Sequence, residues 1–105
     1  MKTIRHKFGA KPCKSDGIRF PSRLEKAYYD KLKILQQTGE VLFFLRQPCF
    51  DLLGGVKYYA DFAVYLADGT VEFIDTKGVD TPIGIAKRKM VEELYPIQIK
   101  IVNKI

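Results

Sequence analysis

The chain has 105 residues, of which 47% are apolar and 29% are charged, and it carries a formal net charge of +6 at pH 7. This length and composition indicate a single folded domain and exclude a disordered chain. No apolar run approaches the roughly 20 residues that cross a bilayer, and the start of the chain lacks the apolar core of a signal peptide. We therefore expect a cytoplasmic protein.

The positive charge is concentrated at the front of the chain. Residues 1–33 hold ten Lys or Arg and three Asp or Glu, whereas residues 34–105 hold eight and nine. This asymmetry predicts a polyanionic partner, most simply nucleic acid, and the alternative is a segment that only aids solubility. We expect residues 1–20 to form a basic arm with a short strand near 18–20. The predicted DNA contacts are Lys2, Arg5, Lys7, Lys11, Lys14, Arg19 and Arg23, with Lys87 and Lys89 on a later helix, where the alternative is a plain solvated face.

The first helix is predicted over residues 22–38. Ser22 is a suitable N-cap residue, apolar residues recur at helical spacing, and Gly39 ends the helix. Glu25 has two interpretations at this position. In a capping box its carboxylate reaches back to the backbone N–H of Ser22. In a functional site the same acid points from the start of the helix across to the sheet.

The rest of the chain predicts strands, a second helix and a last strand. The predicted elements are a strand over 41–47 that Pro48 interrupts and 49–53 continues, a turn at 54–55, a hairpin over 57–78, a helix over 83–94 opened by Thr81 and Pro82, and a strand over 97–102. The apolar positions expected to pack this second helix on the sheet are Ile85, Ala86, Met90 and Leu94.

Hairpin connections favour antiparallel pairing of the early strands, and the helical connection favours a parallel return of the last one. The order α-β-β-β-α-β therefore predicts an α/β fold in which helices flank a mixed central sheet. We expect one domain over 1–105.

The hairpin over 57–78, KYYADFAVYLADGTVEFIDTKG, carries charge where a buried strand is otherwise apolar. Asp61 lies at the start of its first strand, and Asp75 and Lys77 share one face at the end of the second. Charged groups are rare in such strands unless they are paired or bind a metal. The simplest structural explanations are a salt-bridged strand acid at Asp61 and a surface ion pair between Asp75 and Lys77.

The length of the loop decides whether the two acids meet. A two-residue loop puts Asp61 opposite Thr76 and sends Asp75 to the other side of the sheet. A three-residue loop, with Gly69 in the left-handed bulge position, puts Asp61 opposite Asp75. We expect the three-residue loop because Ala-Asp-Gly suits it and because the chemistry requires it.

Two adjacent carboxylates repel each other, and a divalent cation removes that repulsion. Mg²⁺ takes hard oxygen ligands and is commonly held by one or two carboxylates together with substrate phosphate. Asp61 and Asp75 supply such oxygens, and the carbonyl of Thr76 supplies another. Lys77 beside them would orient or help to deprotonate an attacking water and offset the charge developing on a phosphate.

Asp61, the hairpin that follows it and the sequence Asp75-Thr76-Lys77 resemble the signature of the PD-(D/E)xK nuclease superfamily. Glu25 matches an acid that many members carry on the preceding helix. The element order over 22–102 resembles the restriction-endonuclease-like core of that superfamily, and the stretch over 17–78 resembles small phage-encoded Holliday junction resolvase-like proteins. Ala60 stands where the motif has proline, and aspartate is one of the two acids that the motif allows at its second acidic position.

This resemblance implies that Glu25, Asp61, Asp75 and Lys77 are the catalytic residues. The three acids would bind Mg²⁺, for which Mn²⁺ would substitute, and Lys77 would assist the attacking water. The implied function is a DNA endonuclease, phage-encoded in a bacterial host, that acts on branched DNA. Since resolving a four-way junction needs two coordinated cuts, a symmetric homodimer is expected. The alternatives are a nuclease acting on DNA ends, nicks or single strands, and a non-catalytic nucleic-acid-binding module with the same fold.

Overall fold

The structure, a computed structural model, describes residues 13–105 and shows an α/β domain with a mixed sheet and two helices. The helices are α1 (Arg23–Thr38) and α2 (Pro82–Leu94). The strands are β1 (Cys13–Ser15), β2 (Ile18–Phe20), β3 (Val41–Arg46), β4 (Cys49–Asp51), β5 (Lys57–Tyr59), β6 (Phe62–Leu66), β7 (Val71–Thr76) and β8 (Ile99–Val102), with a short 3₁₀ turn at Leu53–Gly55.

The central sheet has four strands in the order β3-β6-β7-β8. Strand β6 is antiparallel to both β3 and β7, whereas β8 runs parallel to β7 after the crossover through α2. The predicted order of antiparallel hairpins followed by a parallel return is confirmed. A parallel return needs a long crossover connection, and α2 supplies it here.

Strands β3 and β4 follow each other as one long, bent strand, in which β3 pairs with β6 and β4 pairs with β5. At the bend, the N–H of Gln47 donates to the carbonyl of Asp61 at 2.9 Å, and the N–H of Ala60 donates to the carbonyl of Pro48 at 3.1 Å. Gln47 takes a φ of 54°, and Pro48 supplies no donor of its own. The bend separates the small β4-β5 sheet from the central sheet and leaves Asp61 at their junction.

Both helices begin and end as their capping residues predict. The Ser22 hydroxyl accepts the N–H of Glu25 at 3.1 Å, and Gly39 ends α1 with a φ of 89°. The Thr81 hydroxyl accepts the N–H of Gly84 at 3.1 Å, and proline occupies the start of α2. The predicted helix bounds are therefore confirmed to within one residue.

Two apolar clusters lie on opposite faces of the sheet. Neighbouring residues of β7 alternate between them, since Ile74 belongs to the cluster under α1 and Phe73 packs against the cluster under α2. The α1 cluster contains Phe20, Tyr28, Tyr29, Leu32, Val41, Phe62, Val64 and Ile74, and the α2 cluster contains Phe50, Leu52, Tyr58, Ala60, Val91 and Ile99.

The predicted packing face of α2 is wrong. The residues that α2 buries are Arg88 and Val91, whereas Ile85, Ala86, Met90 and Leu94 remain exposed. On this side of α2, Val91 packs into the apolar cluster, and Arg88 donates to the carboxylate of Asp80 in the loop before the helix, so that its buried charge is paired.

The described part of the predicted arm is a hairpin that packs on α1. Lys14 lies opposite Arg19 in the β1-β2 pair, and the Tyr29 hydroxyl of α1 donates to Asp16 in the turn at 3.0 Å. The predicted strand at 18–20 is confirmed, and residues 13–15 add a partner strand. Residues 1–12 lie outside the described residues.

Within residues 13–105, neither helix is long and apolar enough to span a membrane.

Candidate active site

The β6-β7 hairpin brings Asp61 and Asp75 to the same end of the sheet. Its ladder pairs Phe62 with Ile74, and the turn is closed by the N–H of Leu66 donating to the carbonyl of Thr70 at 2.9 Å. Gly69 takes a φ of 90° inside this turn. The loop is therefore the three-residue type that the sequence predicts.

The carboxylate of Asp61 is held by the last residue of β7. One of its oxygens, Oδ2, accepts the backbone N–H of Thr76 at 2.7 Å and the Thr76 hydroxyl at 2.6 Å. The N–H of Asp61 donates to the carbonyl of Ile74 at 2.9 Å, although the ladder pairs Ile74 with the next residue, Phe62. Because of this offset, the Asp61 carboxylate reaches Thr76, whereas that of Asp75 binds Tyr58, so the predicted placement of Asp61 directly opposite Asp75 is wrong.

Glu25 enters the site from the first turn of α1 and is 3% exposed. Its Oε2 lies 3.6 Å from Nη2 of Arg46, and Asp61 is within hydrogen-bonding reach of its carboxyl group. Burial, followed by the charge of Asp61, raises the pKa of Glu25 to about 7, although Arg46 opposes the rise. The Glu25 side chain thus contacts sheet residues, as the functional interpretation predicts. Only the Ser22 half of a capping box is present among the hydrogen bonds of the described residues.

Asp75 is 1% exposed at the end of β7 and points toward the α2 side. Its Oδ2 accepts the Tyr58 hydroxyl and lies 3.8 Å from Nζ of Lys77. Burial raises the pKa of Asp75 to about 6, Lys77 and Arg88 hold it down, and Asp80 raises it.

Two buried carboxylate oxygens of the site are unsatisfied. Oε2 of Glu25 and Oδ1 of Asp75 have no hydrogen-bond partner in the described part of the chain. Buried polar atoms of this kind are uncommon and often mark a place where an ion, a water or a substrate group binds. Both oxygens belong to residues that the sequence predicts as metal ligands.

Asp61 and Thr76 have fewer free oxygen atoms to offer a cation. Asp61 already accepts two hydrogen bonds through Oδ2, and Thr76 uses its N–H and hydroxyl for them, so that a contribution of Thr76 to a cation would come from its carbonyl. Across residues 13–105, no group of three or more His, Cys, Asp or Glu side chains is arranged as a ready metal site.

The predicted DNA contacts are spread over two regions of the described chain. Lys14 and Arg23 are exposed and Arg19 is half-buried near the start of α1. Lys87 is half-buried on α2, and Lys89 lines a surface depression together with Glu92 and Glu93, which dilutes the positive charge there. Lys2, Arg5, Lys7 and Lys11 lie outside the described residues.

Comparison with known proteins identifies one family. A family model described as "Protein of unknown function (DUF1064)" matches residues 5–104. The chain belongs to this family. No curated protein and no solved structure shows a significant match to it.

In this DUF1064 member, the residues that surround the acids were not predicted from the sequence. Arg46 packs its guanidinium over the Phe20 ring at 4.6 Å while pairing with Glu25, and Tyr58 donates to Asp75. Arg88 is 7% exposed on α2, and its positive charge lowers the pKa of Asp75. The available signals were Arg46 at the end of a strand and Arg88 within a helix. The acids that they affect, Glu25 and Asp75, lie far away in sequence.

Proposed function

We propose that this protein is a Mg²⁺-dependent DNA endonuclease with a restriction-endonuclease-like core, acting on branched DNA in the manner of a Holliday junction resolvase. The observation that carries the proposal is the meeting of β6, β7 and α1 at one end of the sheet. There, Glu25 contacts Asp61, and Lys77 lies 3.8 Å from Asp75, which follows the last ladder pair of the hairpin.

The donor set fits a hard divalent cation. Glu25 and Asp75 each present a buried oxygen without a hydrogen-bond partner in residues 13–105, and both have a raised pKa, so a nearby positive charge would stabilise their ionised forms. Together with Asp61 and the carbonyl of Thr76, they would hold Mg²⁺ or Mn²⁺. When bound, the cation would supply Lewis-acid polarisation of the scissile phosphate and a lower pKa for water in the site.

Lys77 is the residue placed to act on the reacting groups. Its side chain is 35% exposed, so its ammonium group lies between the buried Asp75 carboxylate and the solvent from which DNA would approach. There it would orient the attacking water and offset negative charge as the phosphorus–oxygen bond to the leaving group breaks. Tyr58 would hold the Asp75 carboxylate in one orientation through its hydroxyl.

The choice of branched DNA follows from the resemblance of residues 17–78 to resolvase-like proteins and from the basic front of the chain. Ten Lys or Arg among residues 1–33 suit contacts to backbone phosphates, which carry affinity but no sequence information. Two coordinated cuts across a junction would require two sites, and hence a symmetric homodimer.

One observation favours a second candidate, a non-catalytic nucleic-acid-binding module. Asp61 has its Oδ2 satisfied by Thr76, and the acids of the described chain do not already form a three-ligand cluster. In such a module the same carboxylates would serve only to bind Arg46 and Lys77.

A cleavage assay separates these functions. We expect the protein to make paired symmetric cuts in a labelled four-way junction with Mg²⁺ or Mn²⁺ and none with EDTA. The variant Asp75→Asn should abolish cutting while leaving junction binding intact. Asp68→Asn, the same change at the exposed tip of the same hairpin, is the matched control and should cut normally.

The other outcomes identify the alternatives. Cutting confined to duplex ends, nicks or single strands would indicate the other nuclease classes. Junction binding without cutting in any divalent metal would favour the binding module and contradict the proposal.

A further inference from the structure

The loop between β7 and α2 carries Lys77 away from the sheet and is held by few hydrogen bonds. We refer to residues 77–81 as the β7-α2 loop. At its start the N–H of Lys77 donates to the carbonyl of Val102 in β8 at 3.0 Å, and at its end the Thr81 hydroxyl caps α2. Between these points the backbone of residues 78–80 makes no hydrogen bond within the described chain, and Val79 is 81% exposed.

One buried side chain of α2 reaches the centre of this loop. Arg88 is 7% exposed and donates through Nη2 to the carboxylate of Asp80. Over residues 13–105, no other hydrogen bond or ion pair joins residues 78–80 to the rest of the fold. A Cβ at Gly84 would lie 3.4 Å from Oδ1 of Asp80 and 3.5 Å from Nη1 of Arg88, so the pair packs closely over the first turn of α2.

Stability alone does not explain a buried arginine at this position. The Nη1 atom of Arg88 has no hydrogen-bond partner in the part of the chain that the structure describes. A buried ion pair adds little net stability, because the cost of taking its charges out of water offsets their attraction. An apolar residue, such as Val91 three positions later, packs into the α2 cluster without that cost. The Arg88–Asp80 pair is better explained by the loop that it holds.

We propose that Arg88 is a positioning residue, which through Asp80 holds the β7-α2 loop against α2 and keeps the ammonium group of Lys77 beside Asp75. The Nζ atom of Lys77 lies 3.8 Å from Oδ2 of Asp75, and the Lys77 side chain is 35% exposed. A loop released from α2 would let this side chain turn into solvent, because the contact with β8 fixes only its backbone. The role of Lys77 rests on the proposed function, whereas the attachment of the loop can be measured without DNA or metal.

Limited trypsin proteolysis of the full chain tests the attachment, because trypsin cleaves after a lysine when the surrounding backbone opens. Arg88→Met breaks the pair, fills much of the same space and leaves residues 77–81 unchanged. We expect cleavage after Lys77, followed by mass spectrometry, to become about tenfold faster, since a hydrogen bond between charged groups commonly shifts an equilibrium by that factor or more. Tm should stay close to the wild-type value, because Asp80 is already exposed and the variant buries no charge.

The matched control is Lys57→Met, which removes the cation of an exposed ion pair with Asp51 and should leave cleavage after Lys77 unchanged. If Arg88→Met fails to fold, Asp80→Asn weakens the same pair from the exposed loop and should give the same acceleration. An unchanged rate after Lys77 in the variant that folds would overturn the inference. Equal acceleration at every tryptic site together with a lower Tm would also overturn it, since the pair would then only support the fold.

Junction cutting tests the consequence for Lys77. Arg88→Met should lower the single-turnover rate about tenfold and leave junction affinity in EDTA unchanged, because the buried Arg88 side chain is removed from DNA while Lys77 is displaced from Asp75. An unchanged cutting rate would overturn the positioning role. Faster cleavage after Lys77 in a protein that never cuts DNA would support the attachment of the loop while removing the nuclease proposal.

Discussion

At the scale of single residues, Glu25 and Asp75 are acids kept almost entirely away from solvent. Glu25 reaches a pKa of about 7 and Asp75 of about 6, in both cases chiefly through burial. A protein that needed these positions only for stability would gain little from a buried carboxyl group whose ionised form is disfavoured. The free-energy cost of burying these carboxyl groups is explained if their ionised oxygens are required for binding a cation.

The variant Glu25→Gln should therefore stabilise the metal-free protein at high pH. The folded pKa of Glu25 lies above its ordinary value of 4.5, so its contribution to stability is fully present below pH 4.5 and is lost as pH rises through 7. In EDTA, we expect the variant to raise Tm by about 4 °C or more at pH 8 and by much less at pH 5. A variant that is equally destabilised at both pH values would show that the ionised Glu25–Arg46 pair stabilises the fold.

The variant Tyr58→Phe should slow cutting without harming the fold. It removes the hydroxyl that donates to Asp75 and keeps the ring, which belongs to the α2 cluster. A hydrogen bond to a charged group is commonly worth enough to change a rate about tenfold or more. Single-turnover cleavage of a junction measures the loss, and Tyr59→Phe, at the exposed neighbouring position, is the control that should cut at the wild-type rate.

At the scale of elements, the β6-β7 turn sets which residues of the two strands lie together. Gly69 holds a φ of 90° in that turn, a conformation that other residues adopt only with strain. The register that follows places Asp61 and Asp75 at one end of the hairpin, where the Asp61 carboxylate binds Thr76 and the Asp75 carboxylate points toward the α2 side.

The variant Gly69→Ala should destabilise the protein. Forcing alanine into the left-handed conformation costs roughly 1–2 kcal/mol, and Tm should fall by about 5–10 °C. Gly78→Ala is the matched control, because Gly78 has no positive φ and a Cβ there would meet open space. Thermal denaturation that shows equal losses for both variants would contradict the role assigned to the turn.

The elements that the sequence predicted well are those specified by local signals. Ser22, Gly39 and Pro82 determine helix ends through their own backbone chemistry, and Ala-Asp-Gly determines the hairpin loop. The acids of the site could be named because charge in an apolar strand is conspicuous even without coordinates.

The features that escaped sequence analysis depend on contacts between distant residues. The face that α2 buries carries Val91 and Arg88, whose partner Asp80 lies in the loop before the helix, and the apolar residues on the other side stay exposed. The turn of Asp61 toward Thr76 depends on an offset at the end of the ladder. Neither arrangement follows from hydrophobic periodicity.

At the scale of the whole molecule, most of the positive charge and the acids of the hairpin lie in different parts of the chain. Most of the charge excess belongs to residues 1–33, whereas Asp61, Asp75 and Lys77 belong to a nearly neutral remainder. This separation suits a protein that contacts a polyanion with its front segment and carries its acidic hairpin elsewhere in the chain.

Replacing Lys2, Arg5, Lys7 and Lys11 with alanine in the full chain should make junction binding less sensitive to salt. If each contacts a phosphate, the slope of log K against log salt should become shallower by up to about 3.6. Fluorescence anisotropy with labelled junction in EDTA measures this slope. The double replacement of Lys87 and Lys89 is the comparison, and a larger change there would place the DNA on α2 instead.

We propose that the acids at the shared end of α1, β6 and β7 hold a divalent cation. Anomalous diffraction from crystals grown with Mn²⁺ tests it most directly. We expect one strong peak within coordinating distance of carboxylate oxygens of Asp61 and Asp75, and its loss in Asp75→Asn crystals. An intact site with no peak at saturating Mn²⁺, or a peak bound only by other residues, would contradict it.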